Sequence, residues 1–165
     1  MSENYIVING KKAELTPEQL KALGLETETN PFERVKRNGT YYAIAGTGKV
    51  GVWNDYRDLT DDNCYNVGNY CTDKEILQQR AYVETLNRLL WRYSMEHKGN
   101  EMDWNNNYTD KHYVYYDHLL HRWSTQYNNH LEKFGSPYFL TREIAKNAIK
   151  EIVEPFMAEH PDFKL

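Results

Sequence analysis

The chain has 165 residues, a length that suits one domain with an appendage and lets a core form without disulfides or metals. Its 24 acidic and 20 basic residues leave a net charge of −4, so no chain-wide basic surface is offered to a phosphate backbone and nucleic acid is not an expected partner. No apolar run approaches the roughly 20 residues of a membrane span, and membrane drops out of the expected partners as well.

The start, Met1-Ser2-Glu3-Asn4-Tyr5, lacks a charged segment followed by an apolar one, which predicts a cytoplasmic chain. Residues 5–15 alternate around Asn9-Gly10, a strong hairpin signal. Thr16-Pro17-Glu18-Gln19 then predicts a short helix, with Thr16 as cap, Pro17 at its first position and Gln19 closing a capping box. Gly24 ends it, and residues 26–31 read as a polar linker closed by proline. Residues 1–25 are therefore expected to form a small ββα arm, with the α+β domain running over 30–165.

Next comes AIAGTGKVGVW, residues 43–53, with a G-x-G-x-x-G match in Gly46, Gly48 and Gly51. That pattern binds a dinucleotide only where the glycines follow a strand and open a helix. Here Val50-Gly51-Val52-Trp53 has no helical period, so the glycines predict a hairpin turn and no cofactor is expected. The loop that follows, residues 54–63, holds Asp55, Asp58, Asp61 and Asp62, whose oxygens could hold a hard cation, without the spacing of an EF-hand.

From Phe32 onward the chain duplicates weakly. Each copy, 32–98 and 108–165, runs from an aromatic hairpin through a polar loop and a threonine cap into a helix. In the first helix, Thr72 and Glu75 are expected to form the capping box, Val83, Leu86, Leu90 and Tyr93 the buried stripe, and Glu84 and Arg88 an exposed ion pair. Lys98-Gly99 ends it. In the second, Ile144, Ala145, Ala148, Ile149, Ile152, Val153, Phe156 and Met157 make one wide apolar stripe, and Pro155 is expected to kink the last turns. The fold class that follows is α+β: two tandem ββα units forming a four-stranded antiparallel sheet with helices on one face, plus the N-terminal arm. The opposite sheet face would need the arm, a partner or a ligand, so at least a homodimer is expected.

Fourteen tyrosines and four tryptophans are the unusual part of the composition. The strand aromatics sit at both parities, so some must point away from the helices. His118-x-x-His121 is read as part of a hairpin rather than a zinc pair, and Cys64 and Cys71 as reduced thiols. No nucleophile elbow, catalytic triad or HExxH is present, so a non-enzyme is expected.

Three stretches carry a resemblance: residues 30–35 (NPFERV), 65–74 (YNVGNYCTDK) and 84–97 (ETLNRLLWRYSMEH). Over residues 30 to 160 or so the chain resembles a family of uncharacterised proteins of Firmicutes phages and prophages. The resemblance implies a context, since small phage accessory proteins of this sort often manipulate the host and many neutralise its defences. The expected function is then a non-enzymatic binding protein in the host cytoplasm. It would counter an antiviral defence by sequestering a nucleotide second messenger or by blocking a host defence protein. The expected contacts lie on the aromatic sheet face and on the loops before the two helix caps: Tyr42, Trp53, Arg57, Tyr115, Arg122, Trp123 and Arg142. The other classes kept open are a metal-dependent phage enzyme using the Asp55 to Asp62 loop and a phage structural or assembly protein.

Overall fold

The computed structural model describes residues 5–8, 10–24 and 30–164. The chain divides into two compact units, residues 1–33 and 34–165. In the first, strands β1 (Tyr5–Ile8) and β2 (Lys11–Glu14) pair antiparallel, and Gly10 takes the positive φ of 76° that the reversal requires. Helix α1 (Pro17–Ala22) opens on the expected capping box. The Thr16 N–H donates to Gln19 Oε1 (2.9 Å) and the Gln19 N–H to Thr16 Oγ1 (3.3 Å). Asn9 and most of the linker, residues 25–29, lie outside the described residues.

The second unit is α+β. Strands β3 (Thr40–Ile44) and β4 (Val50–Asn54) form one hairpin, and β5 (Lys111–Asp117) and β6 (Arg122–Asn128) form another. The four strands do not join into the four-stranded sheet expected from the duplication; each hairpin is its own two-stranded sheet. Each hairpin is finished in the same way. Tyr42 of β3 exchanges both backbone hydrogen bonds with Cys71, and His112 of β5 does the same with Phe139. Two residues after each bridge stands a helix cap, Asp73 for α3 (Lys74–Glu96) and Thr141 for α4 (Arg142–Ala148). The short returning segment occupies the strand edge on which a third strand of a joined sheet would pair, so each unit closes on itself.

Several local expectations shift by a residue. The cap of α3 is Asp73 rather than Thr72, because the Asp73 carboxylate reaches both the Glu75 and Ile76 N–H groups (2.8 and 3.1 Å). The left-handed residue after α3 is Lys98 (φ 65°) and not Gly99. Val83 is exposed, whereas Leu77, Ala81, Leu86, Leu90 and Tyr93 are buried. The polar loop after β4 contains a helix, α2 (Leu59–Asn66), which begins on a reciprocal Asp58–Asp61 capping box and has almost no apolar face.

The last helix has a specific irregularity. Its apolar doublets recur every four residues, so on a regular α-helix of 3.6 residues per turn the stripe would drift by about 40° per doublet. A π-helical turn (Ile149–Val153) between α4 and α5 (Glu154–Glu159) takes up this drift and keeps Ala145, Ala148, Val153 and Phe156 all buried. It also precedes Pro155, whose missing N–H and bulky ring a regular turn would not accept, so the expected kink is realised as a wide turn.

Helix α3 packs on β3 and β4 toward one hairpin and on α4 and the π turn on the other side, while α4 packs on β5 and β6. The main core joins Leu86, Leu90 and Tyr93 to Phe139, Ala145, Ala148, Val153, Phe156 and Phe163. Among the described residues no helix is long and apolar enough to cross a membrane.

Candidate functional site

Five of the expected contact residues fall on separate hairpins, while Arg57 follows β4 and Arg142 opens α4. Tyr42 is half-buried on β3; Trp53 is 37% exposed on β4, 6.2 Å from Tyr41 across the register, with its indole lying over Gly51, where a Cβ would come within 2.2 Å of the ring. Tyr115 and exposed Arg122 lie on β5 and β6. Trp123 packs against the helical core beside Tyr116 (5.6 Å), with its Nε1 buried and unpaired. Exposed Arg142 opens α4 and acts on His112: burial lowers the His112 pKa below its ordinary value and the Arg142 charge lowers it further, against Asp110. Tyr42 and Trp53 thus lie on one two-stranded sheet and Tyr115, Arg122 and Trp123 on another.

The far face of each hairpin, expected to await a partner or ligand, is covered by the chain itself. On β5 the fully buried Lys111 sends its ammonium to the carbonyls of Asn106 and Asn129 (2.9 Å to the latter) beneath the Trp104 ring (5.6 Å). This ties two loops over Tyr113, which also lies against Tyr138 (5.7 Å) and under Lys133. On β3 the cover is Tyr70, stacked on Tyr41 at 4.1 Å, together with α2.

The acidic loop is the electrostatic centre of that cover. Arg34 holds Asp55 through Nε and Nη2 (2.7 and 3.1 Å) and Asp62 through Nη1 (2.6 Å). Asp55, fully buried, also accepts the Tyr70 hydroxyl (3.0 Å) and the Arg57 N–H (2.9 Å). The hydrogen bond from Arg34 is the largest influence on Asp55 and, against burial, lowers its pKa to about 2. Burial first, and then Asp55, push Tyr70 up to about 12; burial and Asp61 raise Tyr41 further. Asp61 accepts the Tyr41 hydroxyl and the Tyr56 N–H (2.8 and 2.7 Å), and Asp58 caps α2. Arg57, with φ 63°, donates its guanidinium to the Val35 carbonyl. The carboxylates expected as a metal holder are thus engaged within the fold, and among the described residues no group of three or more His, Cys, Asp or Glu is placed to hold a metal.

A cleft of about 430 Å³ opens elsewhere, on the turn of the glycine stretch. One wall is the β3–β4 turn with Thr47, Gly48 and Lys49; a second is one face of α3, Lys74, Gln78, Tyr82 and Thr85; a third is Phe156 and His160 of α5 and its cap. Their spacing of four, four and three residues on α3, and of four on α5, is what sets each group on a single helix face. Gly48 lets the turn approach: at φ 82° a Cβ would stand 2.8 Å from Thr85 Oγ1. The lining contains Lys49, Lys74 and His160 and no carboxylate, although the chain is net negative. Tyr82 and His160 lie 4.6 Å apart with their planes tilted by 32°, and Phe156 meets His160 edge-on at 4.5 Å. The Tyr82 hydroxyl donates to the Asp162 carboxylate (3.0 Å), and burial followed by this bond raises its pKa.

No protein-family model matches the chain, and no curated protein or solved structure matches it.

The cleft escaped the sequence because its residues come from three distant segments, and the glycine match in one of them reads only as a hairpin turn. The available signal was Gln78 and Thr85, polar groups on the same helix as Leu77 and Ala81, close to a turn that ends in Gly48-Lys49.

Proposed function

We propose that this chain is a phage-encoded binding protein that counters a bacterial antiviral defence by sequestering a nucleotide signal in the cleft between the β3–β4 turn, α3 and α5. The observation that carries the reading is the composition of that cleft: Lys49 and Lys74 with no carboxylate in the lining, beside the Tyr82–His160 aromatic pair. Ammonium groups attract phosphate oxygens and flat rings stack on a base. A volume of about 430 Å³ falls within the range of small-molecule sites. The phage context rests on the resemblance of residues 30–35, 65–74 and 84–97. Bound ligand would leave unchanged, as expected of a sequestering protein.

Calorimetry against mononucleotides, cyclic di- and trinucleotides and ADP-ribose-type nucleotides tests this. Saturable binding of one class, lost in Lys49→Glu and Lys74→Glu with an unchanged melting temperature, is the expected result; chromatography of the recovered ligand would find it intact. Failure of every member to bind the folded protein rejects the nucleotide reading. A second reading, blockade of a defence protein, is favoured by the β5–β6 tip, where Leu119 and Leu120 are 88% and 53% exposed while the Asp117 carboxylate fixes both of their N–H groups (3.0 Å each).

A further inference from the structure

Next to the ligand cleft lies another, of about 540 Å³. The two share Lys74, Gln78 and Tyr82, spaced by four residues, so they meet along one face of α3 and Tyr82 borders both. The opposite wall of the second cleft is the chain after α5, and α3 pins it in place. The Gln79 side chain donates to the Asp162 carbonyl (2.9 Å) and accepts the Lys164 N–H (2.7 Å), while Phe163 between them is buried in the core. The Asp162 carboxylate accepts the Tyr82 hydroxyl, so the ring that serves the first cleft is held from the second.

The clefts differ in charge. Among the described residues the first is lined by Lys49, Lys74 and His160 and by no carboxylate. The second adds Glu75 and Asp162, and the Lys164 ammonium there is paired with Glu75. Carboxylate oxygens accept hydrogen bonds from sugar hydroxyls and repel phosphate. We propose that the two clefts form one two-part site for a nucleoside diphosphate that ends in a sugar, with its phosphates at Lys49 and Lys74 and its terminal diol at Glu75 and Asp162. This rests on the nucleotide reading above and narrows it. Each cleft is of small-molecule size, so a mononucleotide fills one part and leaves the other to water. A cyclic dinucleotide spanning both parts would set a phosphate against the two carboxylates, and that repulsion selects against it.

Calorimetry of the full chain with ADP, ADP-ribose and a cyclic dinucleotide tests it. ADP-ribose is expected to bind about tenfold or more tighter than either of the others. In Glu75→Gln and in Asp162→Asn, which keep the shape of the side chain, the ratio of ADP-ribose to ADP affinity should fall toward one with an unchanged melting temperature. ADP-ribose binding no tighter than ADP, a cyclic dinucleotide as the tightest ligand, or variants that weaken ADP and ADP-ribose equally would overturn the two-part site and leave the nucleotide reading standing. Binding of none of the three overturns it too, and the nucleotide reading falls with it only if the whole panel fails.

Discussion

Arg34 and Asp55, 21 residues apart, form a two-point ion pair whose acidic member is fully buried, with Nε 2.7 Å from Oδ2 and Nη2 3.1 Å from Oδ1. The pair closes the segment before β3 onto the end of β4. Removing one partner of such a pair strands the other charge, so Asp55→Ala is expected to destabilise the fold by about 3–5 kcal/mol, measured by urea unfolding. A loss no greater than that of an exposed Asp73→Ala would contradict the assigned role.

The same carboxylate sets an acid limit. Its folded pKa of about 2 lies below the ordinary 3.8, so its contribution is complete above pH 3.8 and is lost as pH falls through 2. Converted at 1.36 kcal/mol per unit, this contribution is about 2 kcal/mol. Unfolding free energies between pH 5 and pH 2 should fall less in Asp55→Asn than in the wild type; equal slopes would refute the linkage.

His112 acts in a different window. Its folded pKa is lowered from 6.5, so below that pH the unfolded chain binds the proton better and stability declines. Asp110 and Arg142 are its charged neighbours, with the Tyr127 ring 5.8 Å away. Melting temperatures measured from pH 8 down to pH 5 should drop in the wild type and flatten in His112→Gln.

Lys111 predicts a split between stability and proteolysis. Lys111→Met keeps the hydrocarbon stem and deletes the ammonium that serves the Asn106 and Asn129 carbonyls, at about 1–3 kcal/mol for each group left unsatisfied. Limited proteolysis should then cut within residues 104–110 and 129–137 before it cuts α3. Unchanged cleavage order would place the hold on these loops elsewhere.

Gly48→Ala should affect the cleft and the fold together. A left-handed residue with a Cβ costs about 1–2 kcal/mol, and here the Cβ also presses on Thr85. Thr85→Ala added to Gly48→Ala should recover part of the lost stability, read by thermal unfolding.

The elements most legible in the sequence were those specified by neighbouring residues. Thr16 with Gln19, Thr141 before its helix, and the turn at Gly48 depend on contacts a few residues long, and they stand where expected. Helix α2 was hidden because aspartates do the capping while Leu59 stays 76% exposed, so no apolar period marks it. The buried Lys111 was hidden for the converse reason: a charge in an alternating strand reads as solvent-facing, and only loops more than a dozen residues apart in sequence supply its cover. The two hairpins were legible, but whether they join into one sheet was not decided by local pattern. That depended on whether Cys71 and Phe139 would reach the strand edges first.

Those two returning residues also bear on aggregation. An unpaired strand edge is a template for other chains, and Cys71 and Phe139 occupy the outer edges of β3 and β5. The edge that stays open in the first hairpin is β4, where Val52 is 63% exposed beside Trp53 in a short β-prone run without charge. Self-association of partly unfolded chains, and fibril growth under mild denaturation, would therefore begin at residues 50–53, with the hairpin's other side already stoppered by its own chain.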